Sequence, residues 1–395
     1  MQRLALAFAL AAAAFCLGTS ANKELSLREA AQSSGVLIGT AVRPTQLSEA
    51  AYATTLAREF NMAEPEDALK WEVVHPQQNS FDFSQADQIV EFAARHGMKV
   101  RGHTLVWHRQ NPKWLTDGNF SSTELARILE EHIKTVVGHY RGRIFAWDVV
   151  NEAFDELQPG ALRSTIWWDQ PGITPPEDQA AIREPQTLNS PARSQREARN
   201  SQPYFYIERC FRWAHEADPQ ALLFYNDAEA ETINPKSDAI YAMIRDFREH
   251  GVPIDGIGFQ MHVANLHADI ASISANIKRF TALGVQVHIT EMDIAVPVDS
   301  SGDARPQDLQ LQADIYRQIA AACLSHPGCT AIQTWGFTDK YSWIGSHSKH
   351  TQGGALPFDR NYRAKPAYRE LLRELLGRRK LVFLNNVSHR RPNQG

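Results

Sequence analysis

Polar and aromatic residues collect at the ends of a series of short apolar runs. Arg101-Gly102-His103-Thr104-Leu105-Val106-Trp107-His108 ends one run, and Trp147-Asp148-Val149-Val150-Asn151-Glu152 ends the next. Asn226-Asp227, Gln260-Met261-His262, Thr290-Glu291-Met292-Asp293 and Trp335-Gly336-Phe337 end later ones. Runs that only packed a core would end in apolar residues with an occasional satisfied polar group. So many ionisable and amide groups are costly to bury without a function to offset them. Two glutamates stand out, Glu152 and Glu291. A protonated carboxyl facing an ionised one across a bound sugar can hydrolyse a glycosidic bond. Trp107, Trp335 and Trp343 lie on or just after the run ends, and flat indoles stack on the C–H faces of pyranose rings.

Other chemistries fit less well. His103, His108, His262 and His288 could suggest a metal, but there is no His-x-His pair on a first strand and no His-Glu-x-x-His helix. No Gly-x-Ser-x-Gly elbow supports a serine hydrolase. No metal and no cofactor are expected. A polysaccharide-binding barrel that had lost activity should lack a carboxylate or its supporting histidine, yet Glu152, Glu291, His262 and Asp293 are all present.

The elements that position these residues alternate along the chain. Strand runs are expected at Leu37–Val42, ending near Met62, and at Lys99–Trp107, Ile144–Asn151, Ala221–Asp227, Gly256–His262, Val285–Ile294 and Ala331–Phe337. They are short and apolar on both faces, as parallel strands under helices are. Helical spacing recurs between them at Ser84–His96, Leu125–Tyr140, Pro203–Ala217, Pro235–His250, Asp269–Leu283, Pro306–Leu324 and Pro366–Leu376. Eight strands alternating with helices indicate an α/β fold of the (β/α)8 TIM-barrel type, whose strand C-termini carry catalytic groups. Period-two alternation puts Glu291 and Asp293 on one side, and likewise Gln260 and His262. Asn151 and Glu152 cannot both face inward from a regular strand, so the chain must curl away at one of them.

The chain has 395 residues and a formal charge of −4, which gives no electrostatic reason to expect nucleic acid as a partner. Arg3, the apolar run Leu4–Leu17 and Thr19-Ser20-Ala21 read as a signal peptide over residues 1–21. Secretion, periplasmic or extracellular, is therefore expected, with no membrane association after cleavage. Residues 22–376 form the catalytic domain. The segment 155–202 is too long for an ordinary connection and reads either as a substrate-facing flap or as a disordered insertion, with partial disorder favoured for Pro175–Arg199. Residues 377–395 read as a solvated basic tail. In an exported protein Cys323 and Cys329 can pair, and Cys210 reads as a buried free thiol.

Taken in order, these segments resemble glycoside hydrolase family 10, the retaining β-1,4-xylanases. The resemblance rests also on Pro65-Glu66-Asp67-Ala68-Leu69-Lys70-Trp71 and runs from about Leu37 to Tyr368. It implies Glu152 as acid/base and Glu291 as nucleophile, about 5–5.5 Å apart. It implies His262 bonded to Glu291, Asp293 orienting that imidazole, Gln260 beside the acid/base, and Asn151 on the sugar 2-hydroxyl. Glu66, Asp67, Lys70, His103 and Trp107 would bind substrate, with Trp335 flooring the cleft and Trp343 shaping it. Cys323 and Cys329 match a disulfide of some members. The implied partner is xylan or a related β-1,4-linked polysaccharide, a glucan remaining the alternative, and a monomer is expected. Three departures stand out: Asp67 where asparagine is usual, Ala228 where an aromatic is common, and the 155–202 segment.

Overall fold

Short apolar strands cannot shield their backbone hydrogen-bonding groups alone, and here they do so by closing on themselves. The computed structural model describes residues 25–174 and 204–388. The expected leader and Pro175–Arg199 lie outside them. Eight parallel strands form the barrel: β1 Leu37–Val42, β2 Met62–Pro65, β3 Lys99–Gly102, β4 Ala146–Asn151, β5 Leu222–Asp227, β6 Gly256–Phe259, β7 Gln286–Ile294 and β8 Cys329–Thr334. Each pairs with the next, and β8 pairs with both β7 and β1. The expected (β/α)8 architecture is the one observed.

Helices wrap the barrel. A short helix, α1 (Leu27–Ser34), precedes β1, and each strand is followed by one of α2 Ala50–Glu59, α3 Ser84–Arg95, α4 Ser122–His139, α5 Phe205–Ala217, α6 Pro235–Glu249, α7 Ile270–Ala282, α8 Pro306–Ser325 and α9 Pro366–Ser388. Their starts follow from local chemistry. Ser121 and Glu124 close a capping box on α4, satisfying two otherwise orphaned N–H groups. Asn234 caps α6 and Pro235 opens it. The apolar stripe of α4, Leu125, Leu129, Ile133, Val136 and Val137, is buried. Each such side chain contributes about 1.5–3 kcal/mol relative to exposure.

Several boundaries differ from the sequence expectation. β2 begins at Met62 rather than ending there, and β3, β6 and β8 stop short of Trp107, His262 and Phe337. The missing residues are where the backbone leaves the ladder to aim polar groups at the barrel mouth. Pairing past β3 continues only irregularly, with Leu105 N–H bonded to Asp148 O and Asn151 N–H to Val106 O. α9 runs past Leu376 to Ser388, so the expected tail begins as helix. Cys323, at the end of α8, is joined to Cys329, at the start of β8. Cys210 is free and buried.

Two packing features set measurable limits. His132 of α4 stacks on Trp71 with ring centroids 3.5 Å apart, and its Nδ1 lies 3.2 Å from Nδ1 of His75. Nε2 of His75 faces the carbonyl of Gln78, which can only accept, so that nitrogen carries the proton. His75 Nδ1 then accepts from His132, an arrangement that needs the His75 ring neutral. Burial accordingly lowers both proton affinities. Nearby, a Cβ at Gly102 would lie 2.3 Å from the ring of Trp147, which is fully buried and cannot yield.

A histidine whose folded pKa is lowered stabilises the fold above its unfolded pKa, about 6.5, and loses that contribution as pH falls below it. The urea-unfolding free energy should therefore drop below about pH 6.5, by up to about 1.4 kcal/mol per pH unit for each neutral ring. His132→Phe, which keeps a ring on Trp71, should flatten that slope; an unchanged slope would contradict the neutral pair. Gly102→Ala should cost about 1–3 kcal/mol through overpacking, read as a lower urea midpoint.

Candidate active site

The floor of the barrel mouth is an ion cluster. Arg101 on β3, fully buried, pairs through Nε and Nη2 with both oxygens of Asp148 on β4. Its Nε lies 3.7 Å from Glu64 of β2, and its guanidinium stacks 4.6 Å from the ring centre of Phe224. Nη1 donates to Nδ1 of His288 at 2.7 Å, so that imidazole is neutral and donates through Nε2 to Thr330. Burial, reinforced by Arg101, holds the His288 pKa well below its ordinary value. Glu64, His103 and Asp148 lie close enough together to hold a metal ion. The guanidinium of Arg101 already pairs with Asp148 there, and burial pushes the Glu64 carboxyl up to about 8, so it holds a proton at pH 7.

His103 sits on this floor and donates Nδ1–H to Asp148 at 3.0 Å. Burial opposes its charging, but Asp148, Glu64 and Glu291 outweigh burial and raise its pKa. Its ring meets Trp335 edge-on at 5.3 Å.

Glu152 stands one residue beyond the end of β4, at φ 53°. The left-handed region is unusual for a residue with a side chain. This is the curl that the sequence requires: it turns Glu152 into the same site as Asn151, the last residue of the strand. Glu152 Oε2 accepts from Trp107 Nε1 at 2.8 Å, and Oε1 accepts from Gln260 Nε2 at 2.9 Å and Asn151 Nδ2 at 3.3 Å. Burial would raise the Glu152 pKa, but the Gln260 and Trp107 donors more than compensate and lower it. His108, 3.8 Å away, is pushed down to about 4 by burial and by Arg163, so it is neutral at pH 7.

Glu291 and Asp293 both lie within β7 and face the same way, as alternation predicts. His262 joins them, with Nδ1 3.0 Å from Asp293 Oδ1 and Nε2 3.3 Å from Glu291 Oε2. Both partners only accept, so His262 must donate from both nitrogens and carry a charge. Burial opposes this, yet Asp293 and Glu291 raise the His262 pKa well above its ordinary value. Trp343 donates Nε1–H to the other oxygen of Asp293 at 2.7 Å.

Gln260 and His262 both reach the site, but not by strand alternation. β6 ends at Phe259, and Met261 takes φ 65°, so the chain turns between them. Gln260 then goes to Glu152 and His262 to Glu291.

Asn226, near the end of β5, is one of the polar strand ends to which the sequence assigns no role, yet it links the two glutamates. Its Nδ2 donates to Glu291 Oε1 at 2.7 Å and to Asn151 Oδ1 at 2.8 Å. Asn151 Oδ1 also accepts from Gln260 Nε2 at 3.2 Å. Thr290 fixes the Asn226 amide by donating to its Oδ1 at 2.8 Å. The one available signal was its place at a polar strand end.

On the side of the cleft formed after β2, Glu66 pairs with Arg43 at 2.6 Å. Asp67 pairs with Arg43 at 3.3 Å and with Lys70 at 3.1 Å. Burial raises the Glu66 pKa despite Arg43; for Asp67 burial is outweighed by Lys70 and Arg43, and the pKa falls. The Lys70 ammonium lies 4.8 Å from the ring centre of Trp107 and 5.7 Å from that of Trp335. The structure thus brings together all the residues expected at the site, and adds Arg43, Arg101, Asp148 and Asn226.

The chain matches the model of the Glycosyl hydrolase family 10 family over residues 26–175 and 189–374. Most of the 155–202 segment therefore falls inside the match, and only residues 176–188 fall outside it. Endo-1,4-beta-xylanase B of Thermotoga neapolitana is 42% identical over 370 residues, covering 92% of this chain and 96% of that protein. A beta-1,4-xylanase of Dictyoglomus thermophilum is 37% identical over 344 residues, covering 85% and 87%. The structure of xylanase 10B from Thermotoga maritima superposes with a TM-score of 0.79 at 40% identity, covering 90% of this chain and all of that one. Xylanase 10B from Thermotoga petrophila, solved with xylobiose, gives the same TM-score and identity, covering 90% and 99%. With the family model spanning nearly the whole described chain, this protein belongs to glycosyl hydrolase family 10.

Proposed function

We propose that this protein is an exported endo-1,4-β-xylanase that cleaves internal bonds of xylan with retention of configuration. One observation carries the reading. Glu152 and Glu291 are linked through the side-chain amides of Gln260, Asn151 and Asn226, yet their remaining partners differ in charge. Glu291 faces the His262 imidazolium, whereas Glu152 receives hydrogen bonds only from neutral donors. The xylanases named among the relatives, and the xylobiose bound to one similar structure, support the choice of substrate.

In the first step Glu291 attacks the anomeric carbon, the glycosidic bond breaks, and Glu152 gives its proton to the leaving oxygen. The free site favours ionised Glu152, so the substrate itself must raise its proton affinity. A sugar seated on the carboxyl excludes water, and the negative charge of Glu291 lies close by; both effects act in that direction. Once Glu291 is esterified its charge is gone and Glu152 becomes a base again. It then takes a proton from water, which attacks the same carbon and releases the sugar with its original anomeric configuration. Asn151 meets the 2-hydroxyl, and Trp335 and Trp343 wall the cleaved sugar. Glu66, Asp67, Lys70 and His103 hold the sugars beyond it. Residues 1–21 direct export.

Proton NMR of early products from soluble xylan should show β-anomers; α-anomers would refute the two-step route. Products from soluble cellulose but not from xylan would replace the substrate with a glucan. Glu291→Ala should cut kcat by at least about 10³-fold with a nearly unchanged melting temperature.

A further inference from the structure

We propose that Tyr225, locked by Asp227 and Lys236, is a positioning residue that aims Glu152 from behind the cleft. The inference rests on Glu152 being the acid/base.

The direction of the Glu152 side chain depends on the two peptide units that flank its α-carbon. The preceding unit is held by Glu152 N–H donating to Asn226 O at 2.9 Å. The following unit is gripped at both ends. Its N–H, from Ala153, donates to the Tyr225 hydroxyl at 2.9 Å. Its carbonyl, from Glu152, accepts from Arg163 Nε at 3.3 Å. Arg163 also donates its own N–H to Ala153 O at 2.8 Å and Nη2 to Phe154 O at 3.3 Å. A glutamate at φ 53° persists only where its surroundings over-determine it. Here both of its backbone dihedrals are fixed from outside.

Tyr225 can serve as a fixed anchor because its single proton is already committed. The hydroxyl donates to Asp227 Oδ2 at 2.5 Å, which leaves a lone pair aimed at Ala153 N–H. Asp227 Oδ1 is paired with Lys236 Nζ, from the first turn of α6, at 2.7 Å. Tyr225 and Asp227 are fully buried and Lys236 is nearly so, and none of them bonds to the carboxyl groups of Glu152 or Glu291. A buried ion pair gives little net stability on its own. Its chain of contacts ends at the amide next to Glu152. Trp107, Gln260 and Asn151 orient the head of that side chain, and Tyr225 and Arg163 orient its root.

Misplacing the acid should matter only where the leaving group needs a proton. Tyr225→Phe removes the hydroxyl and keeps the ring. Its kcat/KM on phenyl β-xylobioside should fall on the order of 10- to 100-fold. On 2,4-dinitrophenyl β-xylobioside, whose leaving group departs unprotonated, it should stay within about threefold. Arg163→Leu releases the opposite end of the same peptide from a surface loop, and should show the same leaving-group dependence whatever the stability of the tyrosine variant. Equal losses on both glycosides in the two variants, or no loss on either, would overturn the proposal. Wild-type protein that cleaves neither glycoside would overturn the acid/base reading, and the proposal with it.

Discussion

The structure depends on one constraint: carboxylates crowded into the mouth of a closed barrel must find partners inside the protein. Water can satisfy few of their lone pairs there, and an unpaired buried charge is costly. The donors come from all round the ring. β3 supplies Arg101, β4 Asn151, β5 Asn226, the residue after β6 Gln260, and β8 Gln333, which donates to Glu64. Most of these acids find partners on other strands: Asp148 with Arg101, Glu291 with Asn226, Glu152 with Gln260 and Glu64 with Gln333. The network is satisfied only when β8 has closed against β1, so polar satisfaction at the mouth and closure of the barrel require one another.

Within that network the two glutamates are held by chemically different shells. His262 is made cationic by lying between Asp293 and Glu291, and Trp343 fixes Asp293 from its other side. Glu152 has the indole of Trp107 and two amides, and its nearest imidazole, His108, is kept neutral. A charged partner for one carboxyl and neutral partners for the other is a way to give two like groups separate roles. In the floor beneath, the charge of Arg101 is matched by Asp148, and burial pushes the Glu64 carboxyl up to about 8.

Much of this was legible in the sequence, for reasons that can be named. Parallel strands buried on both faces leave short continuous apolar runs, so the eight strands and their order could be read directly, whereas the helix after the first, α2, could not. Glu291 and Asp293 belong to one regular strand, and period two placed them correctly. Gln260 and His262 do share the site, but through a turn at left-handed Met261 that no glycine marks rather than through strand alternation. Asn226 looked like any polar strand end, since what distinguishes it is distance to Glu291 across the barrel. Arg101 was equally hidden: its burial depends on Asp148, 47 positions away in sequence. The first part of the 155–202 segment, including Arg163, has no regular secondary structure for a sequence pattern to announce, although it packs against the backbone of Glu152.

Asp67 shows how a departure from a family pattern can be accommodated by its neighbours. An asparagine there could donate and accept but would carry no charge. The carboxylate meets Arg43 through Oδ2 and Lys70 through Oδ1, while Glu66 takes a second guanidinium nitrogen of Arg43. Two acids and two bases then neutralise one another, where an asparagine would leave one positive charge over. Lys70 is held against the faces of Trp107 and Trp335 rather than free to follow an anion. The Asp67 carboxylate is occupied by protein donors, so this wall of the cleft is a neutral, pre-ordered surface. Such a surface suits an uncharged pyranose chain better than an anionic one.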